Sequence, residues 1–77
     1  MVQETLMEIF REIFADDTLH LTMETSPSDI TDWDSYSQIL IVEEAEKVFG
    51  IQMDLDEVFK IKNFGDFVKI IEGNLEK

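Results

Sequence analysis

The sequence has no cysteine, which removes a disulfide framework, a thiolate metal site and a thiol nucleophile of the protein's own. Packing alone has to hold the fold. Basic residues are scarce as well: 6 Lys and Arg stand against 18 Asp and Glu, a net charge of -12. Such a surface repels phosphate backbones and anionic lipid and attracts basic protein partners, so nucleic-acid and membrane-surface roles are set aside. No segment reaches the roughly 18 consecutive apolar residues of a membrane span, and residues 1 to 14 carry acids where a signal peptide would carry positive charge. The expected compartment is the cytoplasm, with no insertion into membrane. His20 is the one histidine; without a second His or Cys to share an ion it reads as a surface loop residue, and no metal site is expected. Seventy-seven residues, 44% of them apolar, supply one core and too little chain for another, so residues 1–77 are read as a single domain without a deep substrate cleft.

What is present is helical periodicity. Leu6, Ile9, Phe10, Ile13 and Phe14 recur at helical spacing with Glu4, Glu8, Arg11 and Glu12 on the other side, which predicts a first amphipathic helix over residues 2–14. From Ala15 to Asp34 the pattern breaks. This long segment collects six acids and no Lys or Arg, yet Leu19, Leu21, Met23, Ile30 and Trp33 give it apolar anchors against a bundle. Ser26-Pro27-Ser28-Asp29 reads as a turn within it. A second helix is expected over residues 35–49, stopped by Gly50, with Ile41, Val42, Ala45, Val48 and Phe49 as its core face. Its opposite face gathers Tyr36, Leu40, Glu43, Glu44 and Lys47, with Ser35 and Ile39 along the edge. A face that mixes large apolar residues with charge suits a transient protein partner. Residues 54–59 predict a short third helix with acids in its first turn. Asn63, followed by Asp66 three residues on, caps a fourth helix whose stripe is Phe64, Phe67, Val68, Ile71 and Leu75 and whose end is expected near Gly73. The predicted fold class is all-α: a small four-helix bundle with a short third helix and a long loop between helices 1 and 2.

The run Asp32-Trp33-Asp34-Ser35-Tyr36 at the start of helix 2, its close in Glu46-Lys47-Val48-Phe49-Gly50-Ile51, and the short helix followed by an Asn63-capped one resemble the acyl carrier protein family over nearly the whole chain. In that family an Asp-Ser-Leu motif opens the second helix, and its serine carries a 4′-phosphopantetheine arm attached by a transferase that uses coenzyme A. The resemblance implies that Ser35 is the attachment residue and Asp34 its flanking acid. It also implies a carrier and not an enzyme: a monomer that presents acyl thioesters to loading and processing enzymes with basic docking patches. The implied recognition face is Tyr36, Ile39, Leu40, Glu43 and Lys47. Tyr36 stands where the family usually has leucine, and Leu40 where many carriers present an acid. Both point to a specialised carrier in preference to the general fatty-acid one. An aminoacyl carrier of D-alanyl or peptidyl type would share the arm and differ in cargo.

The residues also admit blander readings. Ser35 with Gln38 three residues on fits a capping box, which would make the serine structural and the protein an unmodified acidic binding module; Asp34 or Asp32 would otherwise supply the cap. Asp32, Asp34, Tyr36 and Glu43 fall at positions 1, 3, 5 and 12 of a calcium-loop register, but position 6 is Ser37 where the turn needs glycine, and Ile39 to Val42 belong to a helix. The helix start is favourable for a phosphodiester on physical grounds alone, because unpaired backbone N–H groups and the positive end of the dipole meet it there. The arm would bring the thiol that the chain lacks.

Overall fold

The computed structural model describes residues 2–76, and every regular element among them is a helix: α1 (Val2–Ile13), α2 (Ser35–Phe49), α3 (Leu55–Phe59) and α4 (Phe64–Leu75). Helix α1 packs against both α2 and α4. It turns Leu6, Ile9 and Phe10 inward; α2 contributes Ile41, Val42 and Ala45, and α4 contributes Phe64, Phe67, Val68 and Ile71. The phenyl ring of Phe10 sits at the junction. It meets Trp33, Phe64 and Phe67 edge-on at centroid separations of 5.1, 5.4 and 5.8 Å, the geometry that sets the positive rim of one ring against the negative face of another.

The ends of the first two helices close by the same device. At Gly50 the backbone turns left-handed (φ 66°), and the Ile51 N–H reaches back to the Glu46 carbonyl at 3.1 Å. At α1 the left-handed residue is Ala15 (φ 51°), and the Asp16 N–H reaches Arg11 O at 3.0 Å. The helix therefore stops at Ile13, one residue before the expected end. Gly73, by contrast, keeps a helical φ, and α4 continues to Leu75. A glycine ends a helix where the chain turns left-handed, and here it does not. Two further expectations are corrected at helix ends. Val48 projects within about 20° of Ile41 around α2 but stands in the last turn, beyond its packing partners, and is 50% exposed. Leu75 is likewise largely exposed in the last turn of α4.

The segment between α1 and α2 is pinned along its length. Arg11 Nε donates to Leu19 O at 2.7 Å. Leu21 and Trp33 are buried, and Leu19, Met23 and Ile30 pack on the core as expected of anchors. The turn at Ser26 closes through Asp29 N–H to Ser26 O at 2.9 Å and Ser26 N–H to the Asp29 carboxylate at 3.0 Å. The loop also completes α4. The N–H groups of Phe64 and Gly65, which have no partner within their own helix, donate to Thr25 O and Met23 O, both at 2.8 Å. A Cβ at Gly65 would stand 2.7 Å from Met23 O, so this glycine is required by a close approach of two backbones.

Opposite signs are expected for one substitution at two glycines of α4. Gly65→Ala should destabilise by about 2 kcal/mol, as overpacking against fixed backbone does. Gly73→Ala, with open space around it, should stabilise by about 0.5–1 kcal/mol through helix propensity. Urea unfolding of the two variants beside the parent reads both.

Candidate functional site

Trp33 ends the loop and directs the chain into α2. Its side chain is 3% exposed, and its indole N–H, which burial would otherwise leave costly, donates to Gln38 Oε1 at 2.7 Å. The next residue, Asp34, is extended (φ -128°, ψ -171°) and is the N-cap. Its carboxylate accepts from the Ser37 N–H at 2.9 Å, and its own N–H donates to Ser37 Oγ at 2.9 Å. The Ser37 hydroxyl proton has the carbonyls of Asp32 (3.0 Å) and Asp34 (3.1 Å) within reach. The capping box is therefore Asp34 with Ser37. The Ser35–Gln38 box allowed by the spacing does not form, because the helix begins at Ser35 itself and its cap lies one residue earlier. The Ser37 N–H is the leading cause that holds the Asp34 carboxyl below its ordinary value.

Ser35 is left without a structural task. It is exposed at the first helical position, and its hydroxyl makes no hydrogen bond among the described residues. Gln38, which the sequence paired with it, faces elsewhere: besides accepting from Trp33 it donates Nε2 to Val58 O of α3 at 3.0 Å. Between the two helices runs a groove of about 310 Å³, with Trp33, Gln38 and Ile39 on one side and Val58, Phe59 and Ile61 on the other; Pro27, Asp34 and Ser35 complete its wall. Ser35 is thus at the edge of a mostly apolar trough.

Other residues singled out in the sequence are distributed as follows. Tyr36 (72%) and Ile39 (52%) are exposed on α2, while Leu40 is half-buried. Glu43 and Lys47 are exposed and share a shallow depression with Glu46, Ile51 and Gln52. Glu46 is not simply a solvated residue: its carboxylate accepts from the Met53 N–H at 2.8 Å and so ties the segment after Gly50 to α2. The sequence reading missed the contribution of α3. Leu55 (70%) and Phe59 (78%) are its exposed residues; their i, i+4 spacing, with Val58 turned inward, was the available signal.

No family model matches the chain. Relatives do. An acyl carrier protein of Micrococcus luteus is 38% identical over 68 residues, 88% of this chain and 84% of that protein. One of Myxococcus xanthus is 38% identical over the same length, covering 88% and 86%. An acyl carrier protein of Acidothermus cellulolyticus is 38% identical over 66 residues, covering 86% and 79%. The chain belongs to the acyl carrier protein family. The fold agrees: the solution structure of holo acyl carrier protein from Geobacter metallireducens superposes with a TM-score of 0.90 at 37% identity, over 97% of this chain and 86% of that one. Family membership gives the four-helix arrangement, the long loop and the acidic helix start a common purpose as a carrier scaffold.

The capping assignment has a direct consequence. Ser35→Ala should leave the thermal midpoint unchanged, whereas Ser37→Ala should lower stability by about 1 kcal/mol, the usual cost of a lost cap partner. Asp34→Ala should be destabilising at pH 7. Because the folded state holds the Asp34 carboxyl below its ordinary value of 3.8, the ionised cap favours folding above that pH, and the benefit is lost as pH falls through the lower folded value. The gap in thermal midpoint between parent and Asp34→Ala should narrow below pH 4, followed by circular dichroism.

Proposed function

We propose that this protein carries acyl groups as thioesters on a 4′-phosphopantetheine arm attached to Ser35 and hands them to successive enzymes. The observation that supports Ser35 most directly is its freedom: the neighbouring pair Asp34 and Ser37 caps α2, so the exposed hydroxyl can be esterified without dismantling the helix start. The residues around it fit the group. A phosphodiester on Ser35 would sit at the N-terminal end of a fifteen-residue helix, where backbone N–H groups and the dipole favour an anion. The apolar trough alongside offers a surface for the arm and its cargo. When bound, the arm supplies the thiol that forms the thioester. The chain's own residues position and present it, and the protein acts as a carrier and not a catalyst.

Recognition is assigned to the surface beside Ser35. Tyr36, Ile39 and the half-buried Leu40 supply apolar contact, and Glu43 and Lys47 supply charge that sets orientation. Basic patches on the phosphopantetheinyl transferase and on acyl-loading and acyl-processing enzymes complement the net charge of -12. The whole of residues 1–77 acts as one monomeric carrier domain, and loading from coenzyme A suits a cytoplasmic setting. The exposed Tyr36, together with Phe59 across the trough, supports a specialised set of partners.

The attachment is tested by intact mass. Incubation of the purified chain with coenzyme A and a broad-specificity phosphopantetheinyl transferase should add one arm to the parent and none to Ser35→Ala. An unmodified parent under conditions that load a control carrier would sink the proposal.

A further inference from the structure

Helix α3 has five residues, too few to persist without tertiary support, and its ties are few and identifiable. Its N-cap, Asp54, makes no side-chain hydrogen bond to it. At its entrance the Met53 N–H is held by the Glu46 carboxylate. At its exit Val58 O accepts from Gln38 Nε2 at 3.0 Å. Between the two, the buried side chain of Val58 is what α3 itself inserts in the core. Two hydrogen bonds thus tie α3 to α2, Glu46–Met53 at its entrance and a latch, Gln38–Val58, at its exit, and the trough beside Ser35 lies along the seam between the two helices.

The latch has a fixed polarity. The Trp33 indole can only donate, and the Val58 carbonyl can only accept. The Gln38 carboxamide is the side chain that answers both, with Oε1 toward the indole (2.7 Å) and Nε2 toward the carbonyl (3.0 Å). A flipped amide would face donor with donor and acceptor with acceptor. Because Trp33 is buried among Phe10 and Phe67, the amide is held from the core side and presented to α3 in one orientation.

We propose that Gln38 is a specificity-determining residue of this carrier: its hydrogen bond to Val58 keeps the α2–α3 seam closed, so that only apolar cargo long enough to offset the loss of that bond is sheltered within it. The proposal rests on the carrier reading for its cargo, while the latch itself is a property of the unmodified chain. A neutral hydrogen bond of this kind shifts an opening equilibrium by about two- to twelvefold. One or two buried methylenes supply a factor of similar size. Shorter or polar cargo stays on the outer surface of the trough, between Ile39 and Phe59, where processing enzymes reach it directly; longer apolar cargo parts α3 from α2 and displaces Val58 and Ile61 from their buried positions.

Two variants separate the latch from general packing. Gln38→Glu keeps an acceptor for Trp33 but has no proton to give Val58 O at pH 7; Gln38→Leu removes both bonds. In the unmodified proteins, amide exchange at Val58, Lys60 and Ile61, whose N–H groups are bonded within the α3 segment, should accelerate about two- to twelvefold in Gln38→Glu, with the amides of Ile9, Phe10 and Phe67 unchanged; Gln38→Leu, which also unpairs the buried indole, should accelerate the core amides as well. Equal exchange in parent and Gln38→Glu, or acceleration of all amides together in that variant, overturns the latch. The cargo arm of the test loads a series of straight-chain acyl-coenzyme A thioesters onto Ser35 and follows the Trp33 indole and Ile61 methyl resonances. The chain length at which they shift should be shorter by one or two methylenes in Gln38→Glu than in the parent; an identical length dependence overturns the specificity role. Failure of loading, seen by mass, refutes the carrier reading without touching the exchange result.

Discussion

Phe10 is the residue on which the rest of the structure converges. Its ring is fully buried and receives Phe14 from just beyond the end of its own helix, Trp33 from the end of the long loop, and Phe64 and Phe67 from the start of α4. A chain without cysteine cannot fix a long polar loop by disulfides, and the aromatic cluster does so by drawing the loop's last apolar residue into the same contact that joins the two outer helices. Truncation of such a ring costs about 3–5 kcal/mol, a large share of the stability of a small domain. The position of Trp33 in turn settles where α2 starts, and with it the position of Ser35.

From Trp33 the ordering passes outward through hydrogen bonds. The indole fixes Gln38, Gln38 reaches α3, and the extended Asp34 caps the helix through Ser37. Ser35 lies between these bonded residues and takes part in none of them among the described residues. A hydrogen-bonded frame thus surrounds a free hydroxyl, as the proposed attachment at Ser35 requires: the frame would hold position while the side chain remains available for reaction with a partner's help. The charge distribution complements this. In the proposed carrier role the acids would steer basic enzymes to this surface, and the exposed Tyr36, Ile39, Leu55 and Phe59 would provide the desolvated contact that steering alone does not give.

Much of this was legible in the sequence because it depends on period and on caps. The stripes of α1 and α4, the Gly50 stop, the Asn63 cap and the apolar anchors of the loop are local or periodic signals, and each is found where the residues predicted it, apart from Leu75 at the exposed end of the α4 stripe. The Asp-Ser pair in its helical context pointed to Ser35, and family membership agrees with the architecture that made the pair meaningful. What the residues did not reveal were choices decided by one-residue register or by contacts between distant segments. Ser35 with Gln38 and Asp34 with Ser37 are both plausible boxes on paper; the extended backbone at Asp34 selects the second. Gln38 and Val58 are twenty residues apart, and no spacing rule joins them. Val48 satisfies the core period yet is uncovered, because periodicity gives the direction of a side chain and not the extent of the neighbour it faces. Gly73 carries the residue type of a stop without the left-handed turn.

The two backbone bonds from α4 to the loop reach beyond stability. Met23 and Thr25 precede Ser35 in the chain, but the N–H groups that bind their carbonyls belong to Gly65 and Phe64. During synthesis the segment leading to the serine is therefore made early and secured late, when the final helix has emerged and docked. An earlier portion of the chain acquires its shape from a later one. A nascent chain without α4 would hold Ser35 and its flanking acids on an unsecured lead-in, so the ordered start of α2 reports that α4 has been made and has docked.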